Sequence, residues 1–592
     1  MSKNTKNVKN AGASPKAKKN KYKSDAATAP YNFIFQTDST KSYEDKDVTE
    51  TYSGVITCSL QNLTPLLIGD VSNRDEKDKN RYFFRVGDEY VIPGSSLKGM
   101  IRTVVETLSF SKISPVSSSP IFWRNVVGDN NNTYKSEFSD EILGGYIKKI
   151  GSRCYFYECK VTREKEHDKV SRNMTDHATA EDDLDHKSYL YTGPMKDNDS
   201  GKTIRRAYKF KQISSEPVEL DQKVVNEFND QLKPCKDQQN IWIYDKEKFD
   251  AGDKARVFCV KDKENGKIKH IGTAHYFRIP HQSTPSDLVD MGNISKDFAK
   301  NLFGYIRKNS ETSDVDAKRG KVRVGRCTLS NCELSDPLQL VLGTPKPSCV
   351  QNYLFQEKKR AEIEKKKEEK KAIKIDHFAL YKKGAQLRGR KFYWHRDPVT
   401  ANSAPVKDKV GETEVILHPI KAGAYGEFNI TLLGVSEYEL GAVLEALCFS
   451  DYGGAYKIGM GKPYGLGSVN VDIESVSVCK DSERYSSLSS RIEETSKELS
   501  EDEIKLFRDN FKSKTSKTIN TVNYDDNQSI RQLRIITDYH HRPDNADTAY
   551  MSLDKTSLDN RLKGFNTVTD FKEKQILPLI EDVRNPATKE KR

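Results

Sequence analysis

Leu97, Ile101, Val104, Val105 and Leu108 recur at helical spacing after Tyr90 and predict an amphipathic helix with one buried face. Pro93 and Gly94 break the strand before it, and Ser95 or Ser96 is placed to cap the amide groups that follow. Tyr425–Leu432 reads as a strand, and alternating apolar and polar positions predict another over Asn470–Val478. Ser436 and Glu439 are spaced as a capping box and open a second long helix.

Two segments in this pattern carry candidate chemistry. Between Tyr456 and Val469, the four glycines Gly459, Gly461, Gly465 and Gly467 let the backbone take positive φ and approach a ligand closely. Lys457 and Lys462 supply positive charge, so the loop suits an anion, with Tyr464 beside it. A tight connection before an edge strand explains the glycines equally well. At the helix start, Lys98 and Arg102 lie four residues apart on one face, next to the positive end of the helix dipole, where phosphate is attracted. A plain helix cap flanked by solvated cations is the alternative there.

Together these segments resemble the RAMP superfamily of CRISPR systems, and most of all the guide-RNA-binding backbone subunits of type III effector complexes. The resemblance implies an α+β fold, a ferredoxin-like (RRM-like) RAMP core over residues 50–480 with large insertions. One insertion spans about 110–290 and holds the candidate for the thumb that wedges into a guide–target duplex in related subunits. A charged linker at 355–375, a basic disordered tail at 1–30 and a helical C-terminal extension at 486–592, with helix expected over Ile492–Leu499 and Glu501–Phe507, complete the organisation. Two tandem modules, the second starting near Phe378, are the other parse.

Composition agrees with a nucleic-acid partner without demanding one. The formal charge is +12, but both signs are plentiful, so the basic excess matters only where it clusters. Residues 387–396 interleave Arg388, Arg390, Lys391, His395 and Arg396 with Phe392, Tyr393 and Trp394, the mixture that stacks on unpaired bases and meets phosphates. A strand with Phe392 and Trp394 inward is the structural alternative, and the two are compatible. Ten cysteines without a Cys-x-x-Cys spacing suit the reduced cytoplasm. Cys154 with Cys159, or Cys327 with Cys332, fit buried thiols better than a zinc site. No apolar stretch reaches the roughly 20 residues of a membrane span.

For catalysis, histidine chemistry has poor support, since the first core helix has no histidine; His275, His281, His540 and His541 lie elsewhere. Related type III subunits place an aspartate in the loop before the serine-serine-lysine turn. Here that loop is residues 69–80, and the resemblance makes Asp75, Asp70 and Asp78 candidates, with Asp75 preferred and a divalent metal as the cofactor if the site cleaves RNA. The family's arginine-aspartate or serine-aspartate ending of the edge strand is absent, as the strand ends at Val324–Cys327. The expected function is guide-RNA binding through the phosphate backbone, with target RNA and other CRISPR effector subunits as partners and no cofactor needed for binding. The expected contacts are Ser95, Ser96, Lys98 and Arg102, then Arg388 and Arg390, then Lys457, Gly459, Gly461, Lys462, Tyr464, Gly465 and Gly467. A CRISPR RNA processing endoribonuclease and a non-catalytic assembly protein are the alternatives.

Overall fold

The computed structural model describes residues 28–36, 48, 50–70, 78–114, 117–124, 141–164, 189–191, 195–196, 203–204, 207–212, 216–232, 254–289, 297–308, 315–342, 349–356, 379–400, 414–486, 495–545, 547–550 and 576–583. The predicted strands meet in one antiparallel sheet. Its centre is β1 (Thr51–Asn62), flanked by β3 (Tyr425–Ser436) and β4 (Ser468–Lys480), with β2 (Val322–Val324) on the outer edge of β3. The strand order β2, β3, β1, β4 continues into Tyr456–Lys457, which pairs with the start of β4. Alternation decides which side chains face the core: Ile56, Cys58 and Leu60 of β1 are buried beside Phe428, Ile430 and Leu432 of β3. Full burial of such side chains contributes about 1.5–3 kcal/mol each.

Two helices pack on this sheet and on one another, α1 (Gly94–Leu108) after β1 and α2 (Glu437–Leu447) after β3. The capping box expected at Ser436 is present: Ser436 Oγ accepts from the Glu439 amide, and Glu439 Oε2 accepts from the Ser436 amide at 2.9 Å. The cap of α1 differs from expectation. Pro93 is the N-cap residue, no side chain caps the helix, and Ser95 and Ser96 already lie in its first turn. Gly94 is needed for packing, because a Cβ there would sit 2.1 Å from the Val324 carbonyl oxygen on the edge strand.

Between α1 and β2 the chain builds a second sheet. Its strands run in the order Ile268–Gly272, Ala255–Lys261, Glu141–Ile150, Arg153–Glu164, Ala207–Gln212 and Tyr189–Tyr191, with Val218–Glu219 also paired to Arg153–Glu164. The helix Gln222–Leu232 covers one face through Val224, Val225 and Phe228. Cys154 and Cys159 fall in different apolar clusters, so they do not share a site. Cys327 belongs to the main core, where burial pushes its thiol up to about 12.

The C-terminal helices are part of the main core. Glu501–Ile519 lies on α2, where a Cβ on Gly441 would come within 2.2 Å of the Phe507 carbonyl oxygen. Phe511 of that helix, and Ile530, Leu533 and Ile536 of the helix Gln528–Thr537, are buried in the same cluster as the sheet. The helix expected over Ile492–Leu499 is not what forms at its end: Lys497–Glu498 is a short strand added to β4, while 487–494 lie outside the described residues. Residues 1–27 and 357–378, which hold most of the expected tail and charged linker, also lie outside them.

Because Phe511 is fully buried against Tyr438 of α2, Phe298 and Tyr524, Phe511→Ala is expected to cost about 3–5 kcal/mol. A urea midpoint indistinguishable from that of the unaltered chain would contradict the placement of this helix in the core.

Candidate nucleic-acid interface

The glycine loop is shaped by its own chain. Gly459, Gly461, Gly465 and Gly467 all have positive φ, from +73° to +90°. Two of them show why only glycine fits. A Cβ on Gly467 would lie 1.9 Å from the Ile458 carbonyl oxygen, and one on Gly465 would lie 2.6 Å from the Asp397 carbonyl oxygen. The loop is laced to the exit of β1 by backbone bonds: Leu63 donates to Ser468, Gly467 to Pro65 and Met460 to Leu67, at 2.8–2.9 Å. The tight-connection reading therefore accounts for the glycines, and the loop's chemistry rests on its lysines.

Those lysines line a cavity of about 180 Å³ together with Lys391 and Tyr393 from the strand Arg390–Tyr393, and with Met100, Thr103 and Val104 of α1. Lys457 Nζ donates to the carbonyl oxygens of Gly465 and Leu466, at 3.3 and 3.0 Å, and so ties the loop closed. Lys391 Nζ lies 3.8 Å from the centre of the Tyr31 ring and 5.2 Å from that of Tyr393, while Lys462 Nζ is 5.7 Å from Tyr393. Tyrosine rings thus separate two ammonium groups. Burial, then Arg396, Lys462 and Arg542, lowers the pKa of Lys457 to about 7. Burial and Lys462 lower that of Lys391 to about 8. Arg396 is buried behind them and donates to the carbonyl oxygens of Pro463, Thr548 and Asn545. His395 is held between Ser468 Oγ at 3.0 Å and the Ala455 carbonyl oxygen at 3.1 Å, and burial keeps its pKa well below the usual range.

At the start of α1, Ser95 is exposed and Ser96 half-buried. The amides of Ser96 and Leu97 turn back to the Pro93 carbonyl oxygen, so any amide donation to an anion narrows to the residues before them. Lys98 Nζ donates to the Phe303 carbonyl oxygen at 3.3 Å, and burial followed by Arg102 lowers its pKa. Arg102 pairs with Glu106 at 2.8 Å. Thr103, in the cavity, is about 140° around the helix from Lys98, so the two basic groups belong to different faces of α1. Gly99 is exposed and a Cβ there would meet nothing within 4 Å. No packing contact requires this glycine in mid-helix, where it costs about 0.5–1 kcal/mol relative to alanine.

Arg388 and Arg390, expected to contact RNA, are turned inward. Arg390 is buried, with one nitrogen on Glu106 Oε2 at 2.6 Å and another on the Ser111 carbonyl oxygen at 2.7 Å. Arg388 donates to the carbonyl oxygens of Leu577 and Pro578. Both guanidinium groups fasten parts of the core together. Lys391 and Tyr393, named in the basic and aromatic run but not among the expected contacts, line the cavity instead; the two-residue period of the strand held the signal, since the parity that puts Phe392 and Trp394 inward takes Arg388 and Arg390 with them and leaves Lys391 and Tyr393 for the other face.

Of the acidic-loop candidates, Asp75 lies outside the described residues. Asp70 is half-buried where the exit of β1 pairs with Tyr82, through its amide donating to the Tyr82 carbonyl oxygen at 3.1 Å. Asp78 accepts from the amide and side chain of Asn80, both at 2.9 Å, which lowers its pKa. Among the described residues no cluster of three or more His, Cys, Asp or Glu side chains fits a metal. His281 is stacked on Trp123, and burial lowers its pKa to about 4, a poor setting for proton transfer near neutrality.

With the loop, the cavity and the helix start in place, the chain can be assigned to a family: it belongs to the RAMP superfamily of CRISPR-associated proteins, whose pattern matches residues 59–470 and so includes both glycine motifs. Among solved structures it is similar to the crystal structure of Thermofilum pendens Csc2, at 11% sequence identity over 84% of this chain and 90% of that chain, with a TM-score of 0.22. No curated protein matches the chain. No helix among the described residues is long and apolar enough to cross a membrane.

The lowered lysine pKa values have a direct consequence. In the unfolded chain both amines stay charged to about pH 10.4, whereas in the fold Lys457 discharges near 7 and Lys391 near 8. The destabilisation from burying these charges is therefore fully present below those values and is relieved progressively as pH rises from them to about 10.4. Competitive amine labelling with peptide mass spectrometry is expected to give midpoints in the order Lys457, Lys391, bulk lysines. Midpoints for both at the bulk value would contradict the desolvated cavity.

Proposed function

We propose that this RAMP protein binds a CRISPR guide RNA through its phosphate backbone, as a subunit of a type III-like antiviral effector, on a ferredoxin-like core. The observation that carries the reading is the convergence of Lys391, Lys457 and Lys462 with Tyr393 on one cavity beside α1, with no carboxylate among the described residues that line it. Ammonium groups held by carbonyl oxygens and ring faces lack a counter-ion there, and a phosphate supplies one. Lys98 and Arg102, with Ser95 and Ser96 before them, form a second contact on the other face of α1. Backbone contacts carry no sequence information, which suits a guide whose sequence varies. The strand order of the sheet and the two helices on it support the ferredoxin-like reading. Residues of about 110–290 are the proposed insertion, and the cytoplasm is the proposed compartment.

Exposed Gly99 fits the same reading, since it leaves room for a backbone to approach α1. Gly99→Ala is expected to melt at higher temperature, and Gly99→Leu to bind RNA more weakly with its fold intact. Unchanged RNA affinity in Gly99→Leu would remove this face of α1 from the interface.

The decisive experiment is to sequence the nucleic acid that travels with the protein from its native host. Uniform RNAs with a repeat-derived tag are expected; a nucleic-acid-free preparation would sink the reading in favour of an assembly role. In parallel, Lys98→Ala with Lys462→Ala should weaken binding across unrelated sequences and lower the salt slope by roughly 0.7 for each phosphate no longer neutralised. Cleavage of a complementary target through the acidic loop is the enzymatic extension of this function. It predicts metal-dependent products that disappear in Asp75→Ala while guide binding remains.

A further inference from the structure

The second sheet carries a face that the lysine cavity does not use. Side chains alternate along its strands, and one set, including Ile147, Phe156 and Val257, is buried with the helix Gln222–Leu232. The other set faces away from that helix. There, cross-strand partners form two rows: Tyr157 opposite Tyr146 opposite Arg256, and next to them Tyr155 opposite Lys148. The rings of Tyr146 and Tyr157 are stacked, with centroids 4.8 Å apart and planes at 11°. Lys254 Nζ lies 4.4 Å from the centre of the Tyr146 ring.

One end of this face is closed, where Phe277 and Ile279 pack with Phe258, Val260 and Phe210. Buried Tyr146 and half-buried Tyr157 border that cluster, and Tyr155 and Lys148 lie toward the other end, near the hairpin turn, where Ile150 is 51% exposed. Tyr155, Tyr157 and Lys148 are half-buried. Glu219, opposite Tyr155, is held by Arg153 at 3.1 Å, so its charge is neutralised. Lys148, Lys254 and Arg256 have no ion-pair partner among the described residues. The chemistry is one-sided, with aromatic rings and cations adjacent and the nearby carboxylate already paired. Bases stack on such rings irrespective of sequence, and phosphates meet the cations between them.

We propose that this face of the second sheet binds an unpaired nucleic-acid strand, with bases stacked on Tyr155 and Tyr157 and phosphates on Lys148, Lys254 and Arg256. The site is separate from the cavity beside α1 and does not depend on what that cavity binds. A duplex hides its base faces, so the site selects single strands. RNA and DNA share the stacking bases and the phosphates, and both are expected to bind.

The test is photo-crosslinking of 12-nucleotide uridine strands to the full-length protein, followed by peptide mapping. Crosslinks within residues 153–164 are expected, from both RNA and DNA strands and not from a duplex. Tyr155→Ala with Lys148→Glu is expected to weaken affinity for the strand at least about fivefold, the low end for removing one stacked base, while Tyr157→Phe keeps its affinity. If the double variant melts early, half-exposed Lys148→Glu alone decides. Crosslinks confined to residues 387–396 and 456–469, or unchanged affinity in a variant that melts normally, would overturn the proposal. Lys391→Ala with Lys462→Ala, measured alongside, reports on the cavity, so the two sites fail separately.

Discussion

Backbone pairing along β1 is the constraint on which the rest of the molecule depends. The strand is hydrogen-bonded on both sides, to β3 and to β4, so its register fixes both neighbours at once. Its exit segment then continues the same bonding: Leu66 exchanges bonds with Ile420, and Pro65 and Leu67 accept from the glycine loop. A central strand with an added bonded exit leaves the loop little freedom, because every shift in register would break several backbone bonds and flip the buried set. The positive φ values and close carbonyl approaches of the glycines are the local form of that constraint.

The cost of this arrangement is electrostatic. Closing the loop over the sheet brings Lys457 and Lys462 near Lys391, Arg396 and Arg542. Like charges in a partly dry site repel more strongly than in water. The protein offsets the cost with carbonyl oxygens under Lys457 and Arg396 and with tyrosine rings beside Lys391 and Lys462. Neither device neutralises charge, so the cavity keeps a positive potential at moderately acid pH. By contrast, Arg390 is buried with Glu106 and backbone oxygens around it, the environment of a fastened ion pair. Arg390 and Lys391 are adjacent positions of one strand and differ in which way they point.

That difference marks how far the sequence could be read. The strands over 425–432 and 470–478 and the helices after Pro93 and Ser436 were legible because each buries one face and so carries its period openly. The capping box at Ser436 was legible for the same local reason, whereas the cap of α1 was not: Pro93 satisfies the helix entry by its fixed φ, and the serines only follow it. The glycine loop was visible, but not that its glycines answer to Leu67, Ile458 and Asp397 carbonyl oxygens, since those approaches come from distant or folded-back chain. The second sheet was hidden by polar residues on its open face and by apolar residues too short in run to stand out. The C-terminal helices looked like an appendage because their mean character is polar, yet a few residues such as Phe511 and Leu533 suffice to make them core.

The position of the second sheet has its own logic. It enters the chain between α1 and β2, and β2 is an edge strand that pairs only with β3 among the described residues. An insertion before an edge strand breaks no ladder of the central sheet, whereas one between β3 and β4 would have to pass the glycine loop that β4 anchors. The core therefore tolerates a large added sheet on the side of Gly94 and Val324, while the lysine cavity is formed at the opposite edge, beyond β4, where Tyr456–Lys457 pairs. Helix α1 reaches both, since Gly94 packs on the edge strand and Thr103 lines the cavity. One helix thus links the edge next to the inserted sheet to the edge where the lysines gather.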